Sequence, residues 1–279
     1  MQRMRGLALI AVLWLVAALS IIVAGLLQSV RTEARLGTQL QDVALASASG
    51  EAAMQLALQS LLAAGKPLDR LADVNMPWMG QSIAVRIMPL NGYIDLNAAP
   101  PELLAQMFQT AAGLSLDRAN ALAQAALRER TEPGADGAPP GFEAVEDLMR
   151  VPGVDYPLYA RVAPLLTADL AHGSGRVNPL AAPLGVLRVL AGGNDAAAAR
   201  YADARDAGDA LASAQAMNTA WLDTAPSRVL ELQAFVPTAD GGRVRVVRRY
   251  ALAARRLDGL PWRAFYARSF VEPAQPPVQ

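Results

Sequence analysis

The sequence predicts an α+β protein in which one long N-terminal helix packs on a small antiparallel sheet and a large all-α insert interrupts the strands. Three observations predict it. An apolar run from Leu7 to Leu27 continues into an amphipathic helical pattern that stops near residue 65. Segments of period-two alternation stand at 82–88, 229–236, 243–252 and 262–270. Between the first and second of these, a short pattern occurs twice at an offset of 83 residues.

The first element is set by its length. From Leu7 to Leu27 the only clearly polar side chain among 21 residues is Ser20. A helix of that run measures roughly 31 Å at ~1.5 Å per residue, which matches a bilayer core of about 30 Å. Arg3 and Arg5 precede it, and positive flanks stay on the cytoplasmic side. The expectation is a single-pass inner-membrane protein with a cytoplasmic N-terminus and the bulk of the chain in the periplasm. A secretory signal peptide carries its small-residue cleavage site beyond a shorter apolar stretch; here Gly6 stands in front of a long one.

The helical pattern then continues. Leu36, Leu40, Val43 and Ala44 recur at helical spacing, and Met54, Leu58, Leu61 and Leu62 repeat them 18 residues later, five turns of helix. Small residues in "ALASASGEAAM" permit close packing on this stripe. Gly65 and Pro67 supply the stop, a left-handed cap followed by a residue that cannot continue. One helix of some 55 residues is expected, its second half lying on the sheet.

"SIAVRIM" (82–88) reads as a half-buried strand. "VLELQAFV" (229–236) and "RVRVVRRYAL" (243–252) flank Asp240-Gly241-Gly242 and read as a hairpin, and "WRAFYARSF" (262–270) adds a strand. Eight arginines lie between Arg243 and Arg268 against one acid, Asp258, and are expected on a solvated sheet face. In the insert, "GYIDLNAAPPELL" (92–104) matches "GRVNPLAAPLGVL" (175–187), each running into Ala-Ala-Pro and then a helix, with proline suited to the first helical position. "FEAVEDLMRVPGVD" (142–155) reads as a helix stopping at Pro152-Gly153.

Composition excludes several chemistries. There is no cysteine, so no disulfide and no thiolate site. His172 is the only histidine and lies in a Gly-rich loop, so a Ser-His-Asp arrangement would have to rest on that one residue and a zinc site would need carboxylates for its other ligands; it reads as a loop histidine without a role. Neither G-x-G-x-x-G nor a P-loop occurs. Asp203, Asp206 and Asp209 read as a solvated helix face. The formal charge is zero overall but uneven: +2 over residues 1–92, −7 over 93–227 and +5 over 228–279.

A hexapeptide leader ending in Gly6, an apolar helix from Leu7, an amphipathic continuation and a small sheet resemble type IV pilins and type II secretion pseudopilins. With the two Ala-Ala-Pro repeats in a helical insert, the chain resembles the minor pseudopilin K (general secretion pathway protein K) family over essentially its whole length. That resemblance implies a pseudopilin fold whose insert holds two helix-hairpin-helix or SAM-like repeats. It implies cleavage by a prepilin peptidase between Gly6 and Leu7 and N-methylation of Leu7. At the fifth mature position most pseudopilins carry Glu; here it is Ala11, as in the K family, which is placed at the filament tip. An acid unpaired in apolar surroundings is costly, so its absence fits a subunit that is not repeatedly incorporated.

The implied function is that of a minor pseudopilin at the tip of the type II secretion pseudopilus, which initiates or caps assembly and serves export of folded proteins. The implied partners are minor pseudopilins of the I, J and H types, the major pseudopilin, the prepilin peptidase and the inner membrane; no nucleic acid, no small-molecule substrate and no enzymatic activity are expected. Family members bind calcium in the insert, but Arg128 and Arg130 stand where oxygen ligands would be needed, so no cofactor is expected. The rivals are a minor pilin of a type IV pilus and a membrane-anchored helix-hairpin-helix DNA-binding protein, whose modules "IDLNAAPPELL" and "LMRVPGV" resemble in part. The acidic insert argues against the latter. The expected layout is a leader (1–6), a transmembrane helix (7–27), its continuation (28–65) and a first strand region (66–92). The all-α insert follows (93–227, with repeats near 92–170 and 175–227), then the C-terminal strands (228–271) and a tail (272–279).

Overall fold

The computed structural model describes residues 3–65, 67–133, 137, 141–169, 173–208, 214–252 and 259–274. Helix α1, Arg3–Ala64, is 62 residues long and ends at Gly65, whose φ of 60° supplies the left-handed cap. Its buried stripe is Ala46, Ala53, Met54, Ala57 and Leu58, with Val43 and Leu61 packed at its margins. Leu40, expected on the same stripe, is 72% exposed, so burial begins at Val43. At Gly50 a Cβ would lie 2.8 Å from a methyl of Val246; the helix approaches the sheet more closely there than any side chain permits.

Among the described residues no helix is long and apolar enough to cross a membrane. This overturns the transmembrane helix expected over 7–27, and with it both the pseudopilin fold in its membrane-spanning form and the single-pass inner-membrane location. In the first half of α1 the described apolar side chains are Leu13, Trp14, Leu15, Val16 and Leu19. Described polar residues follow at Gln28, Glu33 and Gln39.

After α1 come β1, Ala72–Trp78, and β2, Gln81–Pro89, where a single strand was expected. They are joined by Met79 and Gly80, both at positive φ (48° and 79°), the two-residue turn whose twist matches a hairpin. The insert follows: β3 (Ile94–Asp95), α2 (Pro101–Ala112), α3 (Leu116–Thr131), α4 (Tyr156–Val162), β4 (Leu166–Thr167), α5 (Leu184–Leu190) and α6 (Asp195–Asp206). It is therefore not purely helical, since β3 and β4 pair in parallel. The helix expected over 142–155 is a 3-10 turn, Val145–Arg150. Strands β5 (Val229–Pro237), β6 (Arg243–Leu252) and β7 (Trp262–Glu272) complete an antiparallel sheet of order β1-β2-β5-β6-β7.

The duplication is visible in the geometry. Helices α2 and α5 start at residues 101 and 184, the same offset of 83, and pack on each other. Pro100 and Pro183 sit one residue outside them, with φ of −65° and −66°. The first copy closes with the parallel β3–β4 pair, the second with a parallel bridge from Val177 to Leu222. The contact between copies is reciprocal. A Cβ on Gly92 would lie 2.5 Å from the carbonyl carbon of Ala181, and one on Gly175 would collide with the carbonyl of Ala98. Each glycine thus lies on the other copy's Ala-Ala backbone, where no atom can yield.

Gly92→Ala should therefore lower the unfolding free energy by about 1–3 kcal/mol, the usual cost of overpacking. Gly37→Ala, on the exposed part of α1 with nothing within 4 Å of the new methyl, should raise it by up to about 1 kcal/mol. Urea unfolding monitored by circular dichroism checks both.

Candidate functional site

Asp95 and Asn178 occupy equivalent places in the two copies, and both are buried. Each closes a turn through its side-chain oxygen. Asp95 Oδ1 accepts from the Asn97 N–H at 2.9 Å, and Asn178 Oδ1 accepts from the Leu180 N–H at 3.0 Å. The second atom differs. Asn178 Nδ2 donates to the carbonyl of Asp69 and ties the insert to the segment ahead of β1. Asp95 Oδ2 is buried and has no hydrogen-bond partner among the described residues.

That asymmetry has an electrostatic consequence. Burial pushes the Asp95 carboxyl up to about 6, against the pull of the Asn97 N–H and the Arg130 charge. Arg130 spends one N–H on the carbonyl of Leu96 at 2.9 Å, and burial holds its guanidinium below its ordinary value. Beside it, Asn97 fastens the loop: its amide donates to Phe142 O at 2.8 Å and its oxygen accepts from Phe142 N at 2.8 Å.

The insert meets the sheet on the face opposite α1. Along β6, Arg248 and Tyr250 point toward the helix, where Glu51 pairs with Arg248 and Gln55 donates to the Tyr250 hydroxyl. Arg249 points the other way. It pairs with Glu231 of β5 at 2.8 Å and with Asp169, just beyond β4, and lies 4.6 Å from the Tyr266 ring. Burial pulls the Arg249 guanidinium down, but the two carboxylates outweigh it and hold it above its ordinary value. Farther along the same face, Arg245 lies between Phe235 and Phe270 in the register, 4.5 Å from the Phe270 ring. Arg243 and Arg245 share Glu272, each at 2.6 Å, and these bonds hold that carboxyl below the usual range.

The residues singled out from the sequence do not converge. The side chains of Gly6, Leu7 and Ala11 lie outside the described residues, as do His172 and Asp209. Asp203 and Asp206 are on α6, where Asp206 accepts from its neighbour Arg205. Arg130 turns inward to Leu96 rather than marking a ligand cluster. Among the described residues no group of three acidic or histidine side chains could hold a metal ion. A cavity of about 290 Å³ between α1 and the turns at the sheet's end has Asp42 as its one charged lining residue, too little convergent chemistry for a ligand pocket. Sequence reasoning missed Asp95 and the Arg249 bridge. The available signal for Asp95 was that the second copy carries a neutral amide at its place.

No family model matches the chain, and no curated protein matches it.

Two outcomes are expected. Because the folded Asp95 binds its proton more tightly than the unfolded chain does (about 6 against about 4), that stabilisation is full below pH ~4 and is lost as pH rises through ~6, on the order of 3 kcal/mol. Asp95→Asn should abolish this decline, leaving a flatter profile and higher stability at pH 7 in urea titrations across pH 4–7. Arg249→Met strands two carboxylates and should cost about 3 kcal/mol, of which a triple variant that also carries Glu231→Gln and Asp169→Asn should recover part; equilibrium unfolding of the three chains is the measurement.

Proposed function

We propose that this chain is a non-enzymatic assembly subunit, a minor pseudopilin of the K type, which sits at the tip of a type II secretion pseudopilus. Its partners are the I- and J-type minor pseudopilins, with the H type and the major pseudopilin following. The observation that carries this reading is the shape of α1. Its C-terminal part is bound into the sheet from Val43 onward, whereas Leu13, Trp14, Leu15 and Val16 are 54–73% exposed. Four consecutive helical residues at ~100° each cover most of the helix circumference, so this stretch is apolar all round. A helix of that kind is stable when other chains surround it, as neighbouring helices do in a filament core.

The insert supports the same reading. It is a duplicated body with its own apolar core, and it is joined to the sheet by the Arg249–Asp169 and Arg268–Glu146 pairs and by short hydrogen bonds at its two ends. Its charge of −7 suits contacts with protein better than with phosphate backbones. Gly6 and Leu7 are the peptidase site, and Leu7 is the N-methylated terminus of the mature chain.

Co-expression with a prepilin peptidase tests this. The product should lose residues 1–6 and gain a methyl group on Leu7 by intact mass, and Gly6→Leu should leave the full-length precursor. A wild-type product that still begins at Met1 would overturn the reading.

A further inference from the structure

The sheet has two edges, and they are built differently. Strand β1 is 7 residues long and contains Pro77, which removes a backbone donor and blunts the edge. Strand β7 is 11 residues long and has no proline, and no strand lies beyond it among the described residues. It spans about 36 Å at ~3.3 Å per residue. Only Trp262 is fully buried along it. The one register shift falls at Arg249/Tyr250, so the pairing from Tyr266 to Glu272 is regular. The bulge leaves Phe265 of β7 unpaired, and beyond it the regular part of the edge presents backbone donors and acceptors to another strand, the Arg268 carbonyl also accepting from Arg248 at 3.0 Å.

The side chains along this edge have a definite chemistry. Strands β6 and β7 together carry six arginines and one acid, Glu272. On the face away from α1, the register sets Arg263, Tyr266, Arg268 and Phe270 along β7, with Glu272 at the end held by Arg243 and Arg245. Arg268 reaches Glu146 only at 3.7 Å, lies 5.5 Å from the Tyr266 ring and is half exposed, and Arg263 makes no ion pair among the described residues. On the α1 side, Val271 is 62% exposed. An incoming strand would thus meet Arg263 and Arg268 on one face and, on the other, Val271 beyond Ser269, which is bonded to Ser47 of α1.

We propose that β7 is a strand-addition site for an extended segment of another protein in which acidic and apolar residues alternate. Backbone hydrogen bonds along the edge supply the pairing, and carboxylates set against Arg263 and Arg268 fix the face. A second copy of this chain is a poor occupant, because antiparallel self-pairing sets two arginine-bearing edges side by side. This inference stands apart from the pseudopilin assignment and does not need it.

The probe is a synthetic peptide alternating glutamate and valine, added to the full chain and read by amide hydrogen exchange. The expected result is new protection confined to β7, lost when alternate peptide nitrogens are methylated and lost in the Arg263→Glu/Arg268→Glu variant, whose unchanged melting curve shows that it still folds. No binding of the plain peptide, protection away from β7, or equal binding of the methylated peptide would each overturn the proposal. So would β7 protection that appears without peptide and grows with protein concentration, since the occupant would then be a second copy.

Discussion

The pairing of β2 with β5 is the constraint on which the rest of the molecule depends. Pro89 at the end of β2 stands opposite Leu230 at the start of β5, so the chain leaves the sheet and returns to the neighbouring strand at almost the same point. Everything between must form a body whose two ends meet. The seams at that point are short and specific: Asn91 Nδ2 donates to Ala225 O at 2.7 Å, Ser227 N donates to Leu68 O at 3.1 Å, and Leu71 N donates to Leu180 O at 3.1 Å. A duplicated unit answers this demand well. Each copy opens on a short strand and ends on a segment paired in parallel with it, so each is closed on itself, and the glycine contacts between copies close the pair.

The charge asymmetry has a structural use once this geometry is known. The insert sums to −7 and the C-terminal segment to +5, and the two meet where Asp169 and Glu231 bracket Arg249. A largely buried ion triad adds little net stability compared with well-packed apolar residues, because desolvation offsets attraction. Its effect is on geometry. Glu231 and the Tyr266 ring hold Arg249 from within the sheet, and the bond to Asp169 then ties the insert to that fixed point, although the two bodies share no continuous apolar core.

What was legible in the sequence follows the strength of each physical signal. Strand β6 could be read because alternation persists over ten residues, and the helix stop could be read because Gly65 and Pro67 act together. The β1–β2 hairpin could not, because Met79 occupies a left-handed turn position that ordinarily announces itself as Asn or Asp. Strands of two residues such as β3 and β4 carry no period at all. The membrane span rested on the apolarity of one run of side chains, and among the described residues no helix is long and apolar enough to cross a membrane. The Arg249 bridge joins Glu231, its partner across the expected β5–β6 hairpin, to Asp169, which is remote from both in the sequence; only the closure of the insert brings Asp169 there.

Asp95 shows where duplication and chemistry part. The turn that opens each copy needs one acceptor, and aspartate and asparagine supply it equally well. The copies differ in what faces the other side-chain atom. At Asn178 a carbonyl waits for a donor, so an amide is required. At Asp95 no partner faces Oδ2 among the described residues, and a charge there is opposed by burial and by nearby Asp169. The carboxyl meets that position best in its neutral form, in which it has the shape of the amide in the second copy. The same backbone is thus held in both copies by side chains of one shape, and only the first copy makes that hold depend on a proton.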